Sequence, residues 1–213
     1  MFAPSRFGRR LTPVLFLFLV AALIAGCGIF SPDQSKPTDQ PPVNVDFPPA
    51  TTPDILMANF KNAWEQRTIV EYEKVLDDQF QFFLAPKDYQ DLQQFNFDPS
   101  WDRTAELKSV TAMFKGDGGF DLVNNVAIPP ILSIEFTTFA KIIDWSDPGS
   151  DPLYAGTLKA RYKVGISVSF QGVEQKTLVT GDNDFYVVKV PQADGPDIYK
   201  IKIWEDQGTD TGA

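Results

Sequence analysis

Few side chains in this 213-residue sequence can do chemistry near neutral pH. It contains no histidine and one cysteine. Histidine is the usual general base in that range and the commonest metal ligand, so Ser-His and Cys-His machinery and most zinc sites are excluded. Catalysis would have to use Asp, Glu, Tyr, Lys or backbone groups. The candidates are Asp182 and Asp184, two apart in Gly181-Asp182-Asn183-Asp184-Phe185, and Asp144, with Tyr162 as the leading tyrosine. Residues two apart share a face of a strand, and aspartate is depleted in strands. A carboxyl on the pocket face could act as a general base if burial and its neighbour raised its pKa. Phe185 and Val187 alternate to the opposite face, and exposed carboxylates are the expectation for Asp182 and Asp184. Asp144, Asp147 and Asp151 surround a turn but lack the alternating spacing and final glutamate of a calcium loop, so no metal and no cofactor is expected. Lys159, Arg161 and Lys163 form a cationic row, for which cross-strand pairing with Glu135 or Glu174 is the expected role.

The cysteine has a different setting. Arg6, Arg9 and Arg10 precede an unbroken apolar run of 12 residues from Val14 to Ala25. A spanning helix needs roughly 20, so residues 1–26 are expected to be a secretory signal peptide. Ile24-Ala25-Gly26-Cys27 resembles the lipobox of bacterial lipoproteins. That resemblance implies cleavage before Cys27 and acylation of its thiol, which then anchors the protein to a membrane of the bacterial cell envelope. Gly28 is not the aspartate that resembles an inner-membrane retention signal, so the outer membrane is expected where the host has two.

Removing the three leader arginines from 19 cations leaves 16 against 28 anions, a formal charge of −12. Such a surface is poor for nucleic acid or anionic lipid. With Cys27 acylated, no thiol remains for a disulfide or a nucleophile. Residues 27–51 are expected to form a tether, because seven prolines lie between Ser31 and Pro53 and large apolar residues are few.

Residues 52–213 then suit one domain. Thr52-Pro53-Asp54 reads as a helix start, followed by Leu56, Asn59, Phe60, Ala63 and Trp64 at helical spacing. Thr68 and Glu71 form a capping-box pair for a second helix. Phe80, Phe82 and Leu84 alternate as a strand. Phe95 and Phe97 are expected to fold back as lid-like anchors. Ser100 is expected to cap a third helix with the stripe Leu107, Val110 and Phe114 and a stop at Lys115-Gly116. Leu132, Ile134, Phe136 and Thr138 alternate until a slip near Phe139, which predicts a bulge. A long strand from Tyr154 to Phe170 would bend at Gly156 and Gly165. Strands over 178–190 and 198–205 complete the chain.

Helices followed by long antiparallel strands, with Tyr72…Leu76-Asp77-Asp78, Phe80-Gln81-Phe82, Ser100-Trp101-Asp102, Glu106-Leu107 and Trp204-Glu205-Asp206, resemble the nuclear transport factor two-like superfamily. The resemblance implies an α+β fold in which N-terminal helices pack in a strongly curved antiparallel sheet, a cone-shaped α+β barrel enclosing a pocket. It also implies isomerases, dehydratases, polyketide cyclases and non-enzymatic binding domains as relatives, so it leaves activity open. The expected pocket is lined by Phe136, Tyr154, Tyr162, Val164 and Ile166 and lacks a buried Asp or Glu. The function expected is non-catalytic binding of a small apolar ligand or an envelope protein. The alternatives are a histidine-free lyase or isomerase using a pocket Asp and Tyr, and a scaffold subunit, with a homodimer through the sheet face as a further expectation.

Cys27→Ala should leave the protein unprocessed or release it from membranes in soluble form. Mass spectrometry of the wild type checks this: a lipid mass on an N-terminal Cys27 is expected, and an intact Met1 would contradict it.

Overall fold

The computed structural model describes residues 46–93, 98–121 and 126–208. The leader, Cys27, most of the tether, and Phe95 and Phe97 lie outside the described residues. Helix α1 spans Pro53–Glu65, capped by Thr52, whose side-chain oxygen accepts from the Ile55 amide. Its inward stripe is Leu56, Met57, Phe60, Ala63 and Trp64. A short α2 (Ile69–Val75) leads directly into strand β1 (Leu76–Phe83), then α3 (Pro86–Leu92), β2 (Ser100–Asp102) and α4 (Arg103–Lys115). A two-stranded ribbon, β3 (Gly119–Asp121) and β4 (Val126–Ile128), precedes the three long strands β5 (Ile131–Ser146), β6 (Thr157–Phe170) and β7 (Thr177–Val190), and β8 (Ile198–Asp206) closes the order.

The main sheet has six strands in the order β2-β1-β8-β7-β6-β5. This is an α+β fold with helices at the N-terminal side of a curved sheet. All pairings are antiparallel except β1 with β8, which is parallel, so the sheet is mixed rather than purely antiparallel as expected. The reason is topological: β1 is separated from β8 by most of the domain, so no hairpin constrains its direction. Register shifts in β5 between Phe136 and Thr138, and again between Lys141 and Ser146, supply the bulges anticipated near Phe139. Opposite the first of these, Gly165 admits β5 so closely that a Cβ there would lie 2.7 Å from Thr137 Oγ1.

Phe60 is the hub of the core. Its ring meets Trp64, Tyr72, Phe136, Phe139, Phe185 and Trp204 with centroids 5.4–6.4 Å apart, most of them tilted or edge-on as aromatic quadrupoles favour. Side chains on the concave face of the sheet therefore bury against one turn of α1.

Several local readings are corrected. Gly156 takes φ +75 and ends the strand before Tyr154, which sits instead in a 3-10 turn (Pro152–Tyr154). Asp102, not Ser100, caps α4 by accepting from the Ala105 amide, and Ser100 belongs to β2. Thr68 occupies the cap of α2 without a side-chain bond, and the Glu71 carboxylate accepts from Lys74 instead of closing a capping box. Leu132 is exposed and Ile131 buried, since the first register shift of β5 falls between Ile131 and Ser133.

The domain also begins before Thr52. Asn59 Nδ2 donates to Pro48 O at 2.8 Å, and the Tyr199 amide donates to Ala50 O at 2.8 Å. Ala50 is buried and Phe47 packs on the core. A chain starting at Thr52 should therefore be less stable in urea than one starting at residue 46 by roughly 2–4 kcal/mol, through two lost hydrogen bonds and the uncovered apolar surface. Coincident unfolding curves would contradict this packing.

Candidate functional site

A cavity lies between the concave face of the sheet and the helices. Its walls are Trp64 from α1, Phe82 from β1, Trp101 from β2, Glu106 from α4, Val164 and Ile166 from β6, Val179, Gly181 and Asn183 from β7, and Trp204 and Asp206 from β8. The space inside it, mouth included, is about 670 Å³. Strand pairing explains the convergence. Phe185, Trp204, Phe82 and Trp101 follow one another across four strands in register. They stack as a slab: Phe82 and Trp101 lie parallel at 4.1 Å, and Trp204 stands edge-on to Phe82 at 5.0 Å. Gly181, opposite Val164 on the concave face, contributes no side chain and so keeps the space open.

The polar groups are unusual for so apolar a site. Glu106 is buried, with Oε1 accepting from the Tyr72 hydroxyl at 2.6 Å and Oε2 from Trp101 Nε1 at 2.7 Å. Burial raises its pKa above the ordinary carboxylate range, and the two donated bonds only partly oppose this. Burial, with the charge of Glu106 behind it, pushes Tyr72 well above its usual value, so it remains a donor. Asp206 Oδ1 accepts from the Gly208 amide at 2.9 Å. Burial, above all, and a hydrogen bond shared with Asp88 of α3 push its carboxyl up to about 6. Trp204 Nε1 donates to Asn183 Oδ1 at 2.7 Å, which fixes that amide in the wall.

The residues expected from sequence fall in three places. Val164 and Ile166 are on the cavity wall. Tyr162 and Phe136 are in the neighbouring core. Tyr162 packs on Phe139, Phe185 and Trp145, and burial pushes its hydroxyl up to about 12. Phe136 packs on Phe60 and Phe139. Tyr154, Asp182 and Asp184 lie away from the cavity. Tyr154 stacks on Tyr186 at 4.3 Å, and their hydroxyls donate to the two oxygens of Glu205. Asp182 and Asp184 share the convex face, paired across from Lys163 and Arg161.

Asp184 is buried rather than exposed. Arg161 holds it bidentately at 2.6 and 2.8 Å and Lys159 at 2.8 Å. Burial would raise its pKa, but those bonds outweigh it and leave the carboxylate below the usual range. Lys159 and Arg161 of the cationic row thus pair with Asp184, while Glu135 pairs with Lys176. Asp144 is largely exposed and bridges to Lys141, which also holds Asp54. No Asp144, Asp182 or Asp184 carboxyl meets Tyr162 in the cavity, so the pair that the alternative catalytic reading needs is not assembled.

The expectation of a cavity without buried acids is overturned by Glu106, and the half-buried Asp206 adds a second carboxyl to the wall. The signal was available in part. Glu106 lies one turn before Val110 and Met113 on the buried stripe of α4, and Asp206 follows the inward Trp204 by two. Counting only apolar residues in each stripe hid both. Among the described residues no group of three or more His, Cys, Asp or Glu side chains could hold a metal ion.

No protein-family model matches the chain, and no curated protein matches it. Solved structures similar in outline include a candidate scytalone dehydratase from Novosphingobium aromaticivorans, 14% identical over 73% of this chain and 80% of that one, with a TM-score of 0.49. A conserved protein from Planctomyces limnophilus is 9% identical over 71% and 89%, with a TM-score of 0.47. A candidate aromatic ring hydroxylase, also from N. aromaticivorans, is 13% identical over 73% and 85%, with a TM-score of 0.46.

The raised Asp206 carboxyl has a stability signature. Its ordinary pKa of 3.8 in the unfolded chain rises to about 6 in the fold, so its contribution is full below pH 4 and is lost as pH rises through 6. Asp206→Asn keeps a similar shape and does not titrate. Relative to wild type, it should gain on the order of 2–3 kcal/mol between pH 4 and pH 7.5. Parallel stability curves for the two proteins would contradict the assignment.

Proposed function

We propose that this chain is a lipid-anchored protein of the bacterial envelope whose domain binds a small, largely apolar ligand without converting it. The observation that carries the reading is the cavity itself: aromatic walls, two aliphatic side chains from β6, and a few fixed polar groups, the usual make-up of a small-molecule site. Anchoring through Cys27 rests on the lipobox-like residues and the apolar leader. On this reading the proline-rich segment holds the domain off an outer membrane. We also assign the domain to the nuclear transport factor two-like superfamily, on the strength of its N-terminal helices packed in the curve of a sheet around a pocket. An envelope protein partner, or a second copy meeting it through the sheet face, would be compatible with the anchor.

A second reading, a histidine-free lyase or isomerase, is favoured by one feature. Asp206 stands in the cavity wall with a carboxyl pushed up to about 6, a value suited to a general base. The tyrosine it would need is not Tyr162. The scaffold reading required a cone filled solid by its own side chains, and the open cavity counts against it.

Gly181→Leu tests the binding reading. A Cβ on Gly181 would meet its neighbours at 3.6–3.9 Å, ordinary contact distance, so the variant should fold. Its larger side chain would then fill the cavity. Titration with the neutral alcohol 3,3-dimethyl-1-butanol, followed by tryptophan emission, should saturate for wild type and weaken at least tenfold for the variant. An identical response from both proteins would place binding elsewhere.

A further inference from the structure

We infer that the guest of this cavity is an organic cation, a small molecule whose ammonium head enters the aromatic pocket between Trp101, Trp204, Glu106 and Asp206. The inference rests on the ligand-binding reading above and names the chemistry of the guest.

Three observations converge on it. The first is the charge of the lining. Two carboxyl groups face this cavity, and no Lys or Arg is among the residues that line it. The donors that hold these acids are neutral: a tyrosine hydroxyl and an indole for Glu106, and a backbone amide for Asp206, whose neighbour Asp88 is a second acid. Among the described residues neither acid has a salt-bridge partner, whereas Asp184, buried on the convex face, has two. A buried carboxylate is costly unless a cation accompanies it. Here the fold supplies donors that orient the acids but nothing that cancels their charge. Burial raises the pKa of both groups, which is the same desolvation cost.

The second observation is the wall. Four aromatic rings, from Trp64, Phe82, Trp101 and Trp204, line the space. The negative faces of aromatic rings attract cations, and rings surrounding a site suit quaternary ammonium groups in particular. A metal ion would gain little from such walls, and the described residues provide no three-ligand set for one. An anionic guest would meet two acids and no compensating base.

The third is size. The narrow interior of the cavity admits a compact group of about five heavy atoms. A trimethylammonium head has that size, and its tail would lie toward the mouth. The strongly acidic mature chain would concentrate cations near the domain at low salt.

Choline and 3,3-dimethyl-1-butanol have the same shape and differ in one charge, nitrogen for carbon. Tryptophan emission titrations with the two, on wild type, Asp206→Asn and Gly181→Leu, separate the possibilities. We expect choline to bind wild type at least tenfold tighter than its neutral counterpart. Asp206→Asn should remove most of that preference, and Gly181→Leu should weaken both. Equal binding of the two molecules to wild type, lost in Gly181→Leu, would overturn the cation inference and leave the apolar-ligand reading standing. Saturable binding of neither would overturn both.

Discussion

The structure turns on a buried carboxylate that the fold orients but does not neutralise. Glu106 projects from α4 into a space walled by aromatic rings and is fixed there by Tyr72 from α2 and Trp101 from β2. Those two bonds join three elements, and Trp101 pairs with Phe82 in the main sheet. The ring slab over this group continues through Trp204 and Phe185 to Phe60 on α1. The packing of the helices in the curve of the sheet and the electrostatics of the cavity are thus set by the same residues.

The contrast with Asp184 gives this feature its meaning. Both acids are buried, and both lie on elements that define the sheet and its cover. Asp184 has Arg161 and Lys159 within direct contact, and its pKa falls accordingly. Glu106 and Asp206 have no cationic partner among the described residues, and theirs rise. On the convex face the chain uses charge to tie strands β6 and β7 together. On the concave face it leaves charge in reserve, in the place where a guest would enter.

What the sequence made legible follows from the periodicities. Alternation over 157–170 located β6 and its inward face, including Val164 and Ile166, because each substitution of apolar for polar along that run is consistent. The helix start at Thr52-Pro53-Asp54 was equally readable, since capping chemistry is local. The site was not, for a physical reason. Glu106 and Asp206 break the apolar pattern of their own elements, and a carboxyl on a buried stripe is explicable only by partners distant in sequence: Tyr72 is 34 residues from Glu106. Tyr154 misled in the opposite way. It matched the alternation of β6 perfectly, but Gly156 with its positive φ turns the chain before the strand begins and sends the ring to the other face. The role of Pro48 and Ala50 was also hidden, because a proline-rich composition says nothing of the two backbone carbonyls that Asn59 and Tyr199 use.

The chain's four tryptophans allow the central claim, that this cavity is where a ligand binds, to be tested by position. Trp64, Trp101 and Trp204 line the cavity, whereas Trp145 lies outside it, its indole donating to Asp54. Proton–nitrogen correlation spectra of the indole N–H groups, recorded during addition of choline, report each site separately. The account predicts that the three cavity indoles shift along one saturating curve while Trp145 stays still. Movement of Trp145 alone, or small unsaturating drifts of all four, would contradict it.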